Sequence, residues 1–174
     1  MTSILKVSEI QDPTNSNTAL TINSDGSVNM AKQPRFFGNK VGNQTLTRGN
    51  TTKITVFTAN EIDTHSAFDG TTFTVPVAGD YYIFASLYHD MTPAGNDGEN
   101  MVTFIYVNGS EVTRSSFRNN STRDIDNIVV TAQTMRSLSV GDTVETYAYQ
   151  ADSSGDNAQI LASSGTQFGG YMLG

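Results

Sequence analysis

The stretch FDGTTFTVPVAGDYYIFASLYHD, Phe68–Asp90, decides the fold class. Its second half alternates strictly: Tyr81, Ile83, Ala85 and Leu87 fall on one side, Tyr82, Phe84 and Tyr88 on the other. A period of two among aromatic and β-branched residues is a strand pattern, because successive Cβ atoms point to opposite faces of a pleated backbone. Gly79-Asp80 ahead of it reads as a turn exit. Pro76 fits a strand end or edge, where its missing N–H removes no ladder bond. Both sides of this strand are apolar, so both meet something. One side is core; the other is covered by loops or by a sister subunit.

The same reading extends in both directions. In KITVF, Ile54 and Val56 alternate with Thr55 and Phe57. MVTFIYV (Met101–Val107) is dense in strand formers and apolar on both faces, and Asn108-Gly109 after it suits the left-handed positions of a tight hairpin. IVVTAQTM puts Ile128, Val130 and Ala132 together, and TVETYAY sets Val144, Thr146 and Ala148 against Glu145, Tyr147 and Tyr149. Met91–Asn100, with Pro93, Gly95 and Gly98, reads as a long loop. No stretch shows a helical stripe with an N-cap and a glycine stop. The chain is expected to be all-β.

Composition bounds the function. A length of 174 residues suits one domain with a real core. Aromatic residues at 9% and charged residues at only 16% argue against a disordered chain. The absence of cysteine removes disulfides, thiolate zinc clusters and thiol nucleophiles, and fits an intracellular origin. Ten basic against seventeen acidic residues, net −7, oppose a general affinity for phosphate backbones, so no nucleic-acid partner is expected. The opening MTSILKVSEIQDP lacks the basic-then-apolar pattern of a signal peptide, and no apolar run approaches the ~20 residues of a membrane span. The expectation is a soluble domain made in the cytosol, with no membrane insertion.

The inventory of reactive groups is thin. Only His65, in DTHSAFDG, and His89, at a strand end beside Asp90, offer an imidazole, and no G-x-S-x-G elbow frames either. Asp97 with Glu99, Asp124 with Asp126, and Asp152 with Asp156 put oxygen ligands in expected loops, but no interval matches a spaced calcium loop. Sequons at Asn43 and Asn50 are those of any Asn/Thr-rich chain. Gly169-Gly170 lacks the strand, loop and lysine context of a phosphate cradle. No catalytic residue, metal or cofactor is expected.

From Pro34 onward the order of motifs resembles the jelly-roll family of complement globular heads and tumour necrosis factor. PRFFGNKV opens the match, and Phe68, Asp69, Phe73, Pro76, Gly79, Tyr81 or Tyr82, and Phe84 form its most specific run. IYVNGSEVTRSS and VVTAQTMRSLSVGDTVETYAY continue it, and Phe168-Gly169-Gly170-Tyr171 closes it. Ser115–Asp126 departs from the family as a polar connection, so no vertebrate ligand site is carried over. The resemblance implies a jelly-roll β-sandwich of two five-stranded sheets and a homotrimer that buries the sheet holding the first and last strands. Carried onto this chain, that interface would use Phe36, Phe37, Phe73, Phe168, Tyr171 and Met172.

Residues 1–33 read as an extended arm ending at Gln33-Pro34. Ile4, Leu5, Val7 and Ile10 form its early apolar cluster. In ALTINSDGSVNM a Ser24-Asp25-Gly26 turn joins Leu20 and Ile22 to Val28 and Met30 in a small hairpin. Such a piece buries too little surface to stand alone. LKVSEIQDPTNSNTALTINSDGSV resembles the opening module of tail-fibre and other virion proteins of cyanobacterial phages, which implies an attachment arm.

Two readings follow from the combined resemblances. One is a non-enzymatic capsid decoration or cement trimer, held by its arms on the major capsid protein or another virion protein and located on the particle surface. The other is a short tail fibre or adhesin whose head binds a host-surface glycan or protein. Head sequence alone does not separate them.

Overall fold

The computed structural model describes residues 7–11, 14, 18–30, 32–58, 61–91, 99–119, 127–151 and 158–173. Among these the chain forms strands and no helix. The arm contributes β1 (Glu9–Gln11), β2 (Thr18–Ile22) and β3 (Val28–Asn29). The hairpin expected at Leu20–Met30 is present, with Ile22 opposite Val28. Its turn is held by Asp25, whose carboxylate accepts from the Ser27 N–H and hydroxyl, and by Gly26 at φ 84°. A third strand adds to it, Ile10 lying opposite Leu20.

The head begins with β4 (Arg35–Asn39), followed by β5 (Gln44–Leu46), β6 (Thr52–Lys53), β7 (Ile62–Asp63) and β8 (Thr72–Thr74). The long strands come next: β9 (Gly79–Asp90), β10 (Glu99–Val107), β11 (Ser110–Asn119), β12 (Asn127–Leu138) and β13 (Thr143–Ala151). The short β14 (Ala158–Ile160) and the closing β15 (Gln167–Met172) complete it. All pairings are antiparallel. One sheet has five strands, β11-β10-β13-β6 with β8 also on β13. The other has seven, β5-β14-β9-β15-β4-β7 with β12 along the whole of β9. The first and last strands of the head, β4 and β15, pair within the larger sheet.

The alternation read in β9 is realised residue by residue: Tyr81, Ile83, Ala85 and Leu87 are fully buried between the sheets. They meet Ile105 of β10 and Val144 and Ala148 of β13 in one core. At its centre Phe36 stacks on Phe73 with centroids 4.1 Å apart, and Phe168 meets Phe36 edge-on at 5.1 Å. Burying each such ring contributes roughly 1.5–3 kcal/mol, and offset or edge-on geometry adds to it. Asn108 and Gly109, at φ 51° and 73°, make the tight β10–β11 turn expected of Asn-Gly.

Three local readings change. Ile54 and Val56 do not share a face: Val56 sits at φ 62° and is exposed, which reverses the alternation and lets both Ile54 and Phe57 point inward. A β-branched residue in that region is strained, and the two buried anchors on either side hold it there. Strand β11 continues to Asn119, so Ser115–Asn119 is an edge strand paired with β10 rather than part of a connection. Its polarity suits an edge, where only one side is laddered. Strand β10 begins at Glu99, which is fully buried and not part of a solvated loop, because it occupies an inward position in step with Met101 and Thr103.

Candidate self-association face

The outward side of the larger sheet is built by the partners of the core residues. Register places Phe37 of β4, Gly169 of β15, Phe84 of β9 and Gln133 of β12 in one cross-strand row. The next row holds Tyr171, Tyr82 and Met135. Ring centroids are 5.5 Å apart for Tyr82–Tyr171, 6.2 Å for Tyr82–Phe84 and 6.3 Å for Phe37–Phe84. Ile62 extends the patch beyond Phe37, and Val129 lies across from Tyr88. Exposure is high for groups so apolar: Met135 69%, Tyr171 46%, Val129 45% and Ile62 44%. A cleft of about 310 Å³ opens among Phe37, Ile62, Phe84 and Tyr171. Contiguous exposed apolar surface rimmed by polar groups is the mark of an association site. Here Arg35 borders the patch on β4, and the Ser86–Thr131 pair, joined at 3.0 Å, separates it from Tyr88 and Val129.

The six residues expected at the interface divide. Phe36, Phe73 and Phe168 point inward and are at most 2% exposed, so their side chains contact the chain's own core and are corrected from interface to core. The reason is the pleat: β4 and β15 alternate sides, so Phe36 and Phe168 point in where Phe37 and Tyr171 point out, and Phe73 of β8 stacks on Phe36 within the core. Phe37 and Tyr171 are on the outward face. Met172 lies half-buried at the end of β15, against Gly79. Sequence reasoning named Tyr82 and Phe84 as a strand face but did not assign them to the interface. Only register, which brings them beside Tyr171 and Phe37, puts them on the candidate face.

The Gly169-Gly170 pair has a packing role. A Cβ at Gly170 would stand 2.8 Å from the Tyr82 carbonyl oxygen, and one at Gly169 would stand 2.9 Å from the Phe84 ring and 3.0 Å from the Phe36 carbonyl oxygen. Both glycines let β15 lie flush between β4 and β9. Gly170→Ala is expected to cost about 1–3 kcal/mol through backbone displacement, seen as a lower urea midpoint at unchanged m-value.

No family model matches the chain, and no curated protein matches it. Solved structures do. Eiger TNF from S. frugiperda superposes with a TM-score of 0.60 at 13% identity, over 82% of this chain and 93% of that one. Murine APRIL gives 0.57 at 13% identity, over 82% of this chain and 100% of that one. The globular domain of zebrafish complement 1qA gives 0.54 at 15% identity, over 81% and 98%. The fold is their jelly roll. Sequence identity this low carries the architecture and nothing finer.

In this jelly roll the two histidines do structural work. His65 Nδ1 lies 3.0 Å from the Thr64 hydroxyl, while the neighbouring Asp63 carboxylate accepts from the N–H groups of Ala67 and Phe68 and so holds a turn. His89 is fully buried on β9, its Nε2 3.1 Å from Thr103 Oγ1. Thr103 donates its single proton to the Val130 carbonyl at 2.9 Å, so His89 Nε2 must be the donor and Nδ1 carries a bare lone pair. Burial pushes the His89 pKa down to about 3. Among the described residues no group of three or more His, Asp or Glu is arranged to hold a metal. Asp97, Asp124, Asp126, Asp152 and Asp156 lie outside the described residues. Among the described residues no helix is long and apolar enough to cross a membrane.

The arm residues cluster on one side of the small sheet. Ile10 opposite Leu20, and Ile22 opposite Val28, fall on the same face by register. Ile10 and Val28 are more than half exposed, Leu20 is half-buried, and Val7, Ile22 and Met30 are exposed. Ile4 and Leu5 lie outside the described residues. The arm joins the head where Gln33 Nε2 donates to the Met172 carbonyl at 2.6 Å and the Met172 N–H donates to the Pro34 carbonyl at 2.9 Å.

Proposed function

We propose that this chain is a non-enzymatic homotrimeric structural protein, in which the jelly-roll head self-associates and the N-terminal arm attaches the trimer to a larger assembly. The observation that carries the reading is the outward aromatic face of half-buried Phe37, Tyr82 and Phe84 with exposed Tyr171 and Met135. It lies on the sheet containing β4 and β15, the sheet that the family resemblance assigns to the trimer seam. Leaving those rings in water forgoes roughly 25 cal/mol for each Å² of apolar surface they could bury. Sedimentation equilibrium of the full chain is expected to give three times 18.7 kDa, and a monomer at micromolar concentration overturns the reading.

The assembly we favour is a phage capsid, the protein serving as a decoration or cement subunit on the particle surface. Support comes from the resemblance of the arm to virion modules and from the arm's apolar sheet face, which no other part of a short three-stranded sheet can cover. Division of labour falls at Gln33-Pro34. Three arms per trimer would combine weak contacts into strong avidity. Replacing Ile10 and Val28 together by Asp is expected to leave the trimer mass and melting temperature unchanged while lowering occupancy on particles that lack the protein by more than about tenfold. Undiminished decoration by this variant would place the anchor in the head.

A further inference from the structure

The smaller sheet carries a second aromatic surface on the opposite side of the molecule's core. Along β10, Met101, Thr103 and Ile105 point inward, so Asn100, Phe104 and Tyr106 point out. Tyr147 and Tyr149 leave β13 on the same side, with Phe104 beside Tyr147 in register. Phe104, Tyr106 and Tyr149, with Asn100, Glu111 and Arg114, line a groove of about 350 Å³. That is within the range of small-ligand sites.

The groove is held in shape by its own contacts. Arg114 lies over Phe104, its guanidinium carbon 5.7 Å from the ring centroid, and its Nε is 2.9 Å from the Glu111 carboxylate. Phe104 is therefore a covered floor, 5% exposed. Tyr106 packs beside Tyr147, with centroids 4.2 Å apart, and edge-on to Phe104 at 6.1 Å. Next to it, Lys53 Nζ meets Glu145 at 2.5 Å, and Glu145 also accepts from the Tyr147 hydroxyl at 3.0 Å.

Charge selects the ligand class. Within the lining Arg114 balances Glu111, and beside it Lys53 balances Glu145; Arg118, opposite Asn100 on β11, stands at the end of the groove outside the lining, on a chain of net −7. A phosphate or polyanion finds no surplus cation in the lining itself. A purely apolar ligand would strip water from Arg114, Glu111 and Asn100 without replacing it, at a cost of a few kcal/mol for each stranded group. A neutral sugar ring matches both demands: its C–H face packs on an aromatic ring, and its hydroxyls both donate and accept. We propose that this groove binds a neutral pyranose unit of a surface glycan, Tyr149 supplying the stacking face and Tyr106, two rows further along the strands, closing the far end. Glu111 accepts from the sugar hydroxyls, and Arg114 and Asn100 donate to them. The site is separate from the self-association face and does not depend on it.

The test uses the full-length chain and a panel of methyl glycosides of glucose, galactose, mannose and N-acetylglucosamine, read by saturation-transfer NMR and by titration of the tyrosine ring resonances. At least one glycoside is expected to bind with a millimolar Kd. Tyr149→Ala and Arg114→Ala should each weaken it about tenfold or more, while Tyr149→Phe, which keeps the ring, retains it. Melting temperature and particle mass of every variant are measured alongside. Binding of none of the glycosides, or binding that survives both alanine substitutions, overturns the proposal. Loss of native mass in Tyr149→Ala at unchanged secondary structure, without glycoside binding by the parent, makes the face a contact between copies and overturns it as well.

Discussion

The double substitution Met135→Asp with Tyr171→Asp is expected to convert the assembled protein into a folded 18.7 kDa monomer. Both side chains are exposed in the single chain, at 69% and 46%, so a carboxylate there has water around it and costs the isolated fold little. In a trimer sealed through this face the same carboxylates lose that water and gain no cation. An uncompensated buried charge costs about 3–5 kcal/mol, and two per chain across three chains exceed what a standard interface supplies. Light scattering should show the mass fall while circular dichroism keeps its strand signal. The contrast is Phe168→Asp, in which the charge enters the chain's own core beside Phe36 and abolishes folding itself. If the exposed pair leaves the mass unchanged while the native chain is oligomeric, another face makes the contact.

That contrast also marks what was legible in the sequence. Alternation in Tyr81–Tyr88 and Thr143–Tyr149 gave the strands and their buried sides, because a period of two is a property of the backbone and survives any tertiary setting. It failed at Val56, where one left-handed residue resets the phase for everything after it. Sequence carries no marker for such a residue when it is not glycine. The polar edge of β11 was lost for a different reason: edge strands are selected to look unlike strands, and Ser115–Asn119 does.

The candidate face was half legible. The family resemblance, not composition, singled out the strands that became β4 and β15, on whose sheet the candidate face lies. Which member of Phe36–Phe37 or Phe168–Tyr171 faces out depends on the phase of each strand relative to its neighbours. A five-residue strand interrupted by Gly38 shows too little alternation to set that phase alone. Once β9 fixes it, through Ala85 opposite Phe168 and Tyr82 opposite Tyr171, the assignment follows for the whole sheet. The groove on the smaller sheet was invisible for a stronger reason: Arg114 and Phe104 are neighbours only through the β10–β11 register.

Acid should destabilise the fold through His89 before Glu145 contributes. In the unfolded chain its imidazole takes a proton near pH 6.5, and in the folded protein burial holds the pKa down to about 3. Between those values the unfolded state binds one more proton than the native state. Stability therefore falls as pH drops through that window, at about 1.4 kcal/mol per pH unit. Below about pH 4.5 a second loss joins it. Burial opposes the charged form of Glu145, but hydrogen bonds from Lys53 and Tyr147 outweigh that and keep its pKa below the ordinary 4.5, so its contribution disappears only as pH falls further. The interval from pH 6.5 to 4.5 thus separates the histidine from Glu145. Replacing it by glutamine removes the titration and keeps a donor for Thr103 Oγ1, now from an amide. Urea unfolding of the two proteins at fixed chain concentration, stepped through that interval, should show a sloping stability for the parent and a nearly flat one for His89→Gln. The absolute stability of the variant can lie above or below the parent without affecting the comparison, since only the slope reports the proton. An equal slope in both proteins would mean that the buried imidazole is not what acid attacks.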